Sequence, residues 1–389
     1  MKGLITLVGA VSVLMAALAV AGEPDRTVEK AARPRVEVVF VLDTTGSMGG
    51  LLQGAKEKVW AIANTLATAR PTPQVKMGLV GYRDRGDAYV TKLTDLTDDL
   101  DAVYKDLMEF QADQGGDTPE SVNQALHDAV HKIKWSNDAT TYRVIYLVGD
   151  CPPHMDYKDD VKYPDTCKAA AAAGIVINTI QCGGQADTTP VWQDIANRAE
   201  GACFRVEQSG GAVTVATPFD EEMAKVSVAM DGTRVYYGTA VEREEKEGRA
   251  RASAEMAVTA PAAAMADRAA FKGKAGLAAS DARQELITEV ADGTVKLEQL
   301  DEKALPEEMQ KMTPDQRKAY VADQVKKRKE LQEKIEKLGA QRREFIEKKM
   351  RESGAGAKDS FDKAILKSVQ EQAAKKGIVY EETGGEKAE

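Results

Sequence analysis

The sequence predicts an α/β protein: a doubly wound, mostly parallel six-stranded sheet with helices on both faces, followed by a largely α-helical C-terminal region. Two observations predict this fold class. Residues 35–231 alternate short apolar runs, rich in β-branched residues, with amphipathic helical stretches. Such apolar runs are typical of parallel strands that are buried on both faces of a sheet. Beyond residue 240 the apolar runs stop and charged, helix-favouring sequence takes over.

The strand-like runs and the helical stretches follow one another along the chain as a doubly wound sheet requires. The predicted strands are 36–42, 75–82, 144–148 and 175–180, an alternating edge strand at 89–96, and a last strand that begins at Cys203. The predicted helices are roughly 50–69, 99–110, 119–134, 165–173, 190–200 and 218–230. In sheets of this kind, ligands bind beyond the carboxyl ends of the strands.

The composition narrows the function class. The chain has 389 residues, of which 43% are hydrophobic, 30% charged and 5% aromatic. It has 62 Asp and Glu against 53 Lys and Arg, which gives a net charge of −9. This acidic balance excludes a whole-chain basic surface for nucleic acid. The length allows two or three domains, or one domain with extensions.

The N-terminus has the pattern of a signal peptide. Lys2 precedes a mostly apolar run over residues 4–18, and Ala19-Val20-Ala21 fits the small-residue cleavage rule. Residues 1–21 are therefore predicted to be removed, so that the mature protein is exported to the periplasm or the cell exterior and has no membrane span. The alternative is an uncleaved N-terminal anchor, although the apolar run is short for one.

The C-terminal third is predicted in two parts. Residues 240–283 read as an Ala-rich linker or loose helix, because fourteen of the thirty residues from 250 to 279 are Ala and bulky apolar residues are scarce. Residues 284–389 read as a charged helical region, with a weak coiled coil over 313–352 that could support self-association. Polar residues interrupt its apolar seam, so a charged helical hairpin packed on another surface is an equal alternative. The interrupting residues are Gln324, Arg328 and Arg342.

A candidate metal loop follows the first predicted strand. Asp43, Thr45 and Ser47 alternate in a short turn at the carboxyl end of that strand. Because alternate residues of extended chain point the same way, one carboxylate and two hydroxyl groups can converge on one point. Oxygen ligands of this kind suit a hard cation such as Mg²⁺ or Mn²⁺.

The spacing Asp43-x-Thr45-x-Ser47 resembles the metal-ion-dependent adhesion site of the von Willebrand factor A (VWA) domain family, with Thr where Ser is commoner. Two further loops resemble the rest of that site and occur in the family's order. Thr118 matches the family's threonine loop, and Asp150, which ends a buried strand, matches its second aspartate. The resemblance covers residues 35–231. It implies a VWA domain with a metal site at these five residues.

A subgroup of exported bacterial VWA proteins is more similar, through Gly81-Tyr82-Arg83-Asp84 and Pro152-Pro153-His154. Asp84 ends a strand beside the first one and could reach the rim of the metal site, but a solvated loop charge paired with Arg83 or Arg85 is the favoured interpretation. His154 either lines the rim or caps the following loop, and the sequence does not favour one over the other.

The resemblance implies a function in binding. Metal ligated largely by neutral hydroxyl oxygens stays electrophilic, and in this family it takes an Asp or Glu of a partner protein. We therefore expect a non-enzymatic protein that captures a partner carboxylate. Three alternatives stay open: a scaffold in which metal only rigidifies loops, an enzyme that uses metal with His154 or Asp84, and a set of residues that merely cap helices.

The four cysteines are predicted from their places in the sheet. Cys182 lies at the carboxyl end of its strand, and Cys167 lies in the first turn of the helix that descends from that end. An exported protein meets an oxidising environment. We therefore predict a Cys167–Cys182 disulfide, with Cys151 and Cys203 unpaired, because Cys203 lies at the opposite end of the sheet.

Overall fold

The computed structural model describes residues 33–115, 118–211, 214–273, 284–353 and 360–380. The predicted signal peptide therefore lies outside the described residues. Within the described part of the chain, no helix combines the length and the apolar character needed to cross a membrane.

Six strands form one sheet, in the order β3-β2-β1-β4-β5-β6. β3 runs antiparallel to β2 at one edge, and all the other neighbours are parallel. The strands are β1 Arg35–Asp43, β2 Gln74–Tyr82, β3 Thr91–Thr97, β4 Tyr142–Gly149, β5 Ile175–Cys182 and β6 Cys203–Val206. The predicted fold class is confirmed, and its mostly apolar, β-branched strands are buried on both faces.

Helices cover both faces of the sheet. The helices up to residue 231 are α1 Gly49–Ala67, α2 Leu100–Glu109, α3 Val122–His131, α4 Tyr163–Ala172, α5 Thr188–Arg198 and α6 Asp220–Asp231. Alternate residues of β1 point to two separate apolar clusters, Val38 and Phe40 to one and Val39 and Val41 to the other. α1 and α2 pack in the first cluster, and α3, α4 and α5 pack in the second.

Residues 240–271, expected to form a linker or a loose helix, form α7 Ala240–Thr259 and α8 Ala262–Phe271. α8 packs on both α1 and α6. Its small alanines allow close approach, and Met265 and Phe271 supply bulky apolar surface that is almost fully buried. A Thr239–Glu242 capping box begins α7. The remainder of the predicted linker, residues 274–283, lies outside the described residues.

The C-terminal region is helical, as predicted. Its helices are α9 Leu286–Ala291, α10 Glu307–Gln310, α11 Pro314–Ser353 and α12 Phe361–Ala373. α11 packs along α6, α8 and α9 of the same chain. The predicted coiled coil over 313–352 is not supported: Arg328 and Arg342, which interrupt the seam, are buried in ion pairs with Glu285 and Asp220 of the same chain.

α12 completes one face of the sheet. Phe361, Ile365 and Val369 are buried in the same apolar cluster as α1 and the strands. The contact also has a polar part, because the Gln372 and Asn178 side-chain amides exchange hydrogen bonds of 2.9 and 2.7 Å. The sheet of the domain predicted over 35–231 is therefore covered in part by a segment that follows it by more than a hundred residues.

All four cysteines are free thiols, so the predicted Cys167–Cys182 disulfide is wrong. Cys167 faces α5, with its Sγ 3.7 Å from the Ile195 carbonyl oxygen. Cys182 points to the apolar cluster on the opposite face of the sheet. The prediction compared only the ends of the strand, whereas strand alternation decides the face on which a side chain lies.

Candidate metal centre

The first metal loop begins where β1 ends. Asp43 is the last residue of β1, and Thr45 leads into a single 3₁₀ turn, Gly46–Met48, before α1. The Asp43 Oδ1 accepts hydrogen bonds from the Thr45 backbone N–H at 2.9 Å and the Thr45 hydroxyl at 2.6 Å. The Thr45 and Ser47 hydroxyl oxygens are 3.4 Å apart. The loop therefore folds around the Asp43 carboxylate and brings the three predicted side chains together.

The other two loops meet the first at the same edge of the sheet. Thr118 precedes α3, and Asp150 follows β4 directly. β1 and β4 are neighbours at the point where the strand order reverses, which is where open α/β sheets place ligands. An open cavity of about 570 Å³ lies there. Its lining residues are Thr45, Gly46, Ser47, Gln114, Gly115, Thr118, Glu120, Asp150, Cys151 and Gln185. Four of the five predicted site residues thus line one cavity. Asp43 does not line it but accepts the hydrogen bonds of Thr45.

Two carboxylate oxygens at this edge are buried without a hydrogen-bond partner, Asp43 Oδ2 and Glu120 Oε2. Asp43 is fully buried, and Glu120 is 2% exposed. Burial raises the pKa of Asp43 to about 7, despite the hydrogen bonds from Thr45 that lower it. Burial also raises the pKa of Glu120 to about 9, with the nearby charges of Asp43 and Asp84 adding to the effect. The raised pKa values mean that ionising these two carboxyl groups is costly in the metal-free protein interior.

Two residues of the site were not predicted from the sequence. Glu120 was assigned no role, although a carboxylate two residues from the predicted ligand Thr118 was a usable signal. Gln208 follows β6, and its Nε2 donates to Asp150 Oδ2 at 2.7 Å. No local pattern marks Gln208, because β6 and β4 approach only through the folded sheet.

Asp84 does not line the cavity. It is 6% exposed and accepts hydrogen bonds from the Ser121 and Tyr157 hydroxyl groups, at 2.7 and 2.8 Å. The favoured interpretation, a solvated charge paired with a neighbouring arginine, is wrong. Arg85 instead pairs with Asp159 and Asp160.

His154 also lies outside the cavity lining. Its ring lies between two carboxylates, with Nε2 3.3 Å from Asp84 and Nδ1 2.7 Å from Asp156. Its backbone N–H donates to the Glu120 carbonyl oxygen. His154 and Asp84 therefore contact the loop that carries Glu120 on the side away from the cavity lining.

Helix capping does not account for these residues. Thr45 stands at the N-terminus of the 3₁₀ turn but makes no side-chain cap hydrogen bond. α3 is preceded by Ser121, not Thr118, and this residue does not cap through its side chain either. The alternative that the predicted residues serve only as caps loses its support.

The donor set fits a hard divalent cation. It consists of carboxylate and hydroxyl oxygens, which are the ligands such ions prefer. A cation would also satisfy the unpartnered Asp43 and Glu120 oxygens. In the described residues, no group of three or more His, Cys, Asp or Glu side chains is arranged to hold a metal. The predicted set does not depend on such a group, because three of its five members are hydroxyl residues.

The comparisons with known proteins agree with the fold. Residues 37–206 match the family model of the von Willebrand factor A domain. The matched residues, fewer than half of the chain, run from β1 to the end of β6. A curated relative, an ariadne-like RING finger protein of Acanthamoeba polyphaga mimivirus, is 25% identical over 119 residues. That match covers 31% of this chain and 11% of the relative, so the chain spans about a tenth of the relative's length.

Two solved structures are similar to part of the chain. The SpRpn10 VWA domain is 15% identical with a TM-score of 0.35, and the match covers 45% of this chain and 88% of that one. Proximal thread matrix protein 1 from the mussel byssus was solved with a zinc-occupied metal-ion-dependent adhesion site (MIDAS) motif. It is also 15% identical, with a TM-score of 0.36. This second match covers 45% of this chain and 42% of the mussel protein.

Proposed function

We propose that this protein is an exported, non-enzymatic binding protein whose VWA domain holds Mg²⁺ or Mn²⁺ and captures an Asp or Glu side chain of a partner protein. One observation carries the proposal. Two buried carboxylate oxygens, on Asp43 and Glu120, lack hydrogen-bond partners beside an open cavity lined with hydroxyl groups. A cation compensates this charge, and the open cavity leaves room for a partner.

The chain's own residues have separate parts in this proposal. Thr45, Ser47 and Thr118 would offer neutral oxygens, and Asp43 and Asp150 would offer carboxylate oxygens directly or through water. The bound cation would supply an electrophilic position that attracts an outside carboxylate. Gln208 positions Asp150 through the 2.7 Å hydrogen bond that it donates.

A binding role is favoured over a catalytic one by the place of His154. The enzyme alternative needs a general base beside the metal. His154 and Asp84 lie outside the cavity lining; His154 Nδ1 is hydrogen-bonded to Asp156, and Asp84 accepts from the Ser121 and Tyr157 hydroxyl groups. Export is proposed from the N-terminal sequence alone. Self-association through α11 is not part of the proposal, because the seam of this helix packs on its own chain.

The test measures metal-dependent stability and capture together. The melting temperature of the purified protein should rise by a few degrees in saturating Mg²⁺ or Mn²⁺ over EDTA, because a ligand that binds only the folded state stabilises it. Asp43→Asn and Thr118→Ala should lose this rise. Asp187→Asn should keep it, because Asp187 is an exposed carboxylate at the start of α5.

The second arm immobilises the same four proteins and exposes them to an extract of envelope proteins. A partner that is retained in Mn²⁺, released by EDTA and absent from the Asp43→Asn and Thr118→Ala columns supports the proposal. Metal binding with retention that EDTA does not change would favour the scaffold alternative. The absence of any metal effect in folded wild-type protein would contradict the metal site itself.

A further inference from the structure

One soft donor lies among the hard oxygen donors of the cavity. Cys151 follows Asp150 directly, lines the same cavity and is 5% exposed. Its Sγ donates to Asp150 Oδ1 at 3.2 Å, and it lies 3.9 Å from Gln185 Oε1. By contrast, Cys167 and Cys182 are enclosed in the apolar clusters on the two faces of the sheet.

The spacing of this thiol and carboxylate matches that of two ligands on one metal ion. Zinc binds sulfur at about 2.3 Å and carboxylate oxygen at about 2.0–2.2 Å, so tetrahedral geometry separates the two donors by roughly 3.5 Å. The Cys151 Sγ and Asp150 Oδ1 are already 3.2 Å apart. The proton that they share therefore occupies a place where a metal ion could bridge them with little movement of either side chain.

An independent observation at the same cavity also points to a cation. Glu120 lines the cavity, is 2% exposed and has an Oε2 without a hydrogen-bond partner. The fully buried Asp43 has a second such oxygen. A thiol alone would not indicate a ligand, but Glu120 lines the same cavity with a buried, unpartnered carboxylate oxygen.

We infer that the site takes a thiophilic divalent cation, Zn²⁺ in the first place, with the Cys151 thiolate and the Asp150 carboxylate as neighbouring ligands. Thiolate ligands select for metals of this class over Mg²⁺. The inference rests on the proposed metal site and specifies the class of metal ion that this site binds. When the sulfur–metal bond forms, the S–H bond breaks and the proton passes to solvent buffer. No atom changes its oxidation state.

The experiment uses Cd²⁺ as a spectroscopic probe for thiolate ligation. Cd²⁺ added to the purified protein should produce the ultraviolet charge-transfer absorption of a sulfur–cadmium bond, at one equivalent per chain. Cys151→Ser should lose this absorption and weaken Zn²⁺ binding by at least about tenfold, while Mn²⁺ binding changes by less than about threefold. Cys203→Ser is the matched control, because Cys203 is half-buried at the start of β6. Circular dichroism establishes that each variant is folded.

The outcomes separate this inference from the proposed function. Mn²⁺ binding without a sulfur–cadmium band would overturn the inference and leave the metal site intact. A band that survives in Cys151→Ser but disappears in Cys203→Ser would also overturn it. If neither Mn²⁺ nor Cd²⁺ binds to folded wild-type protein, the inference and the proposed metal site both fail.

Discussion

Buried charged groups occur in two regions of this molecule, and only one of the regions compensates them with ion pairs. Beneath the C-terminal helices, the fully buried Arg268 forms ion pairs with Asp101 of α2 and Asp231 of α6. At the carboxyl edge of the sheet, Asp43 and Glu120 form no ion pair with any described residue, and each leaves one oxygen unpartnered. The first region shows buried charges compensated by ion pairs, and the unpartnered oxygens of the second are the basis of the proposed metal site.

The pKa shifts separate the two regions in the same way. Burial by itself would raise the pKa of Asp101, but the charges of Lys272 and Arg268 outweigh it and hold this pKa well below its usual range. Burial raises the pKa of Asp43 to about 7, because the hydrogen bonds from Thr45 offset it only in part. Burial is similar at the two carboxyl groups. Asp101 forms a direct ion pair with Arg268, whereas Arg83 lowers the pKa of Asp43 less than the Thr45 hydrogen bonds do.

The largest effect is expected from Arg268→Met. This change leaves Asp101 and Asp231 buried with less compensation, and breaking a buried ion pair from one side costs about 3–5 kcal/mol. The free energy of unfolding, measured by urea denaturation, should fall by that amount. Arg249→Met is the control: Arg249 is exposed on α7 and pairs only with Glu245, so its loss should cost less than about 0.5 kcal/mol. Equal effects of the two changes would contradict the structural role of the buried network.

Phe361→Ala tests whether α12 belongs to the apolar core beside the sheet. Phe361 is 2% exposed and its ring lies 6.2 Å from that of Phe40 on β1. Removing a buried Phe side chain costs about 3 kcal/mol or more. Val379→Ala, at a position that is 55% exposed, should change the stability little. If Phe361→Ala left the urea midpoint unchanged, the sheet would not need the C-terminal segment.

Asp43→Asn should have an intermediate effect of opposite sign. In metal-free protein, the pKa of Asp43 is raised to about 7 from an ordinary value near 4, so the folded state holds this proton more tightly than the unfolded state. The resulting cost is absent below about pH 4, grows between pH 4 and 7 and is complete above pH 7. We expect Asp43→Asn to gain about 2 kcal/mol at pH 8 in EDTA, since part of the relief is offset by weaker hydrogen bonds to Thr45.

The pH dependence of this gain is the decisive control. Urea midpoints of the two proteins in EDTA should converge toward pH 4 and separate toward pH 8. In saturating metal the order should reverse, because only the wild-type protein gains from the cation. A gain that is the same at pH 4 and pH 8 would show that the charge of Asp43 is not its source.

The smallest effect is expected from Gln208→Ala. Its hydrogen bond to Asp150 Oδ2 is present without metal and is worth about 1 kcal/mol, so its loss should lower the metal-free stability by at most about that amount and the metal affinity by at most about fivefold. Calorimetric titration with Mn²⁺ measures this difference. Gln53→Ala, on the exposed hydrogen bond to Glu57 in α1, should leave the affinity unchanged.

The sequence predicted best what is local. Strands such as β1 and β4 are continuous apolar runs, and a parallel sheet fixes where their carboxyl ends meet, so Asp43 and Asp150 could be placed at one edge. The packing of α12 could not be predicted, because its partners on the sheet lie far away along the chain. The Ala-rich α8 was underestimated, because small residues pack well when two helices approach closely. Glu120 was missed although it stands two residues from Thr118, because only its burial distinguishes it from a solvated loop carboxylate.

The most direct test of the central claim is a Mn²⁺ titration followed by electron paramagnetic resonance of the free ion. The account predicts one tightly bound Mn²⁺ per chain in wild-type protein and in Asp187→Asn. It predicts none, or binding weakened at least about a hundredfold, in Asp43→Asn and Thr118→Ala. A folded wild-type protein that binds no Mn²⁺, or variants that bind it as well as wild type, would contradict the claim that the unpartnered carboxylates mark a metal site.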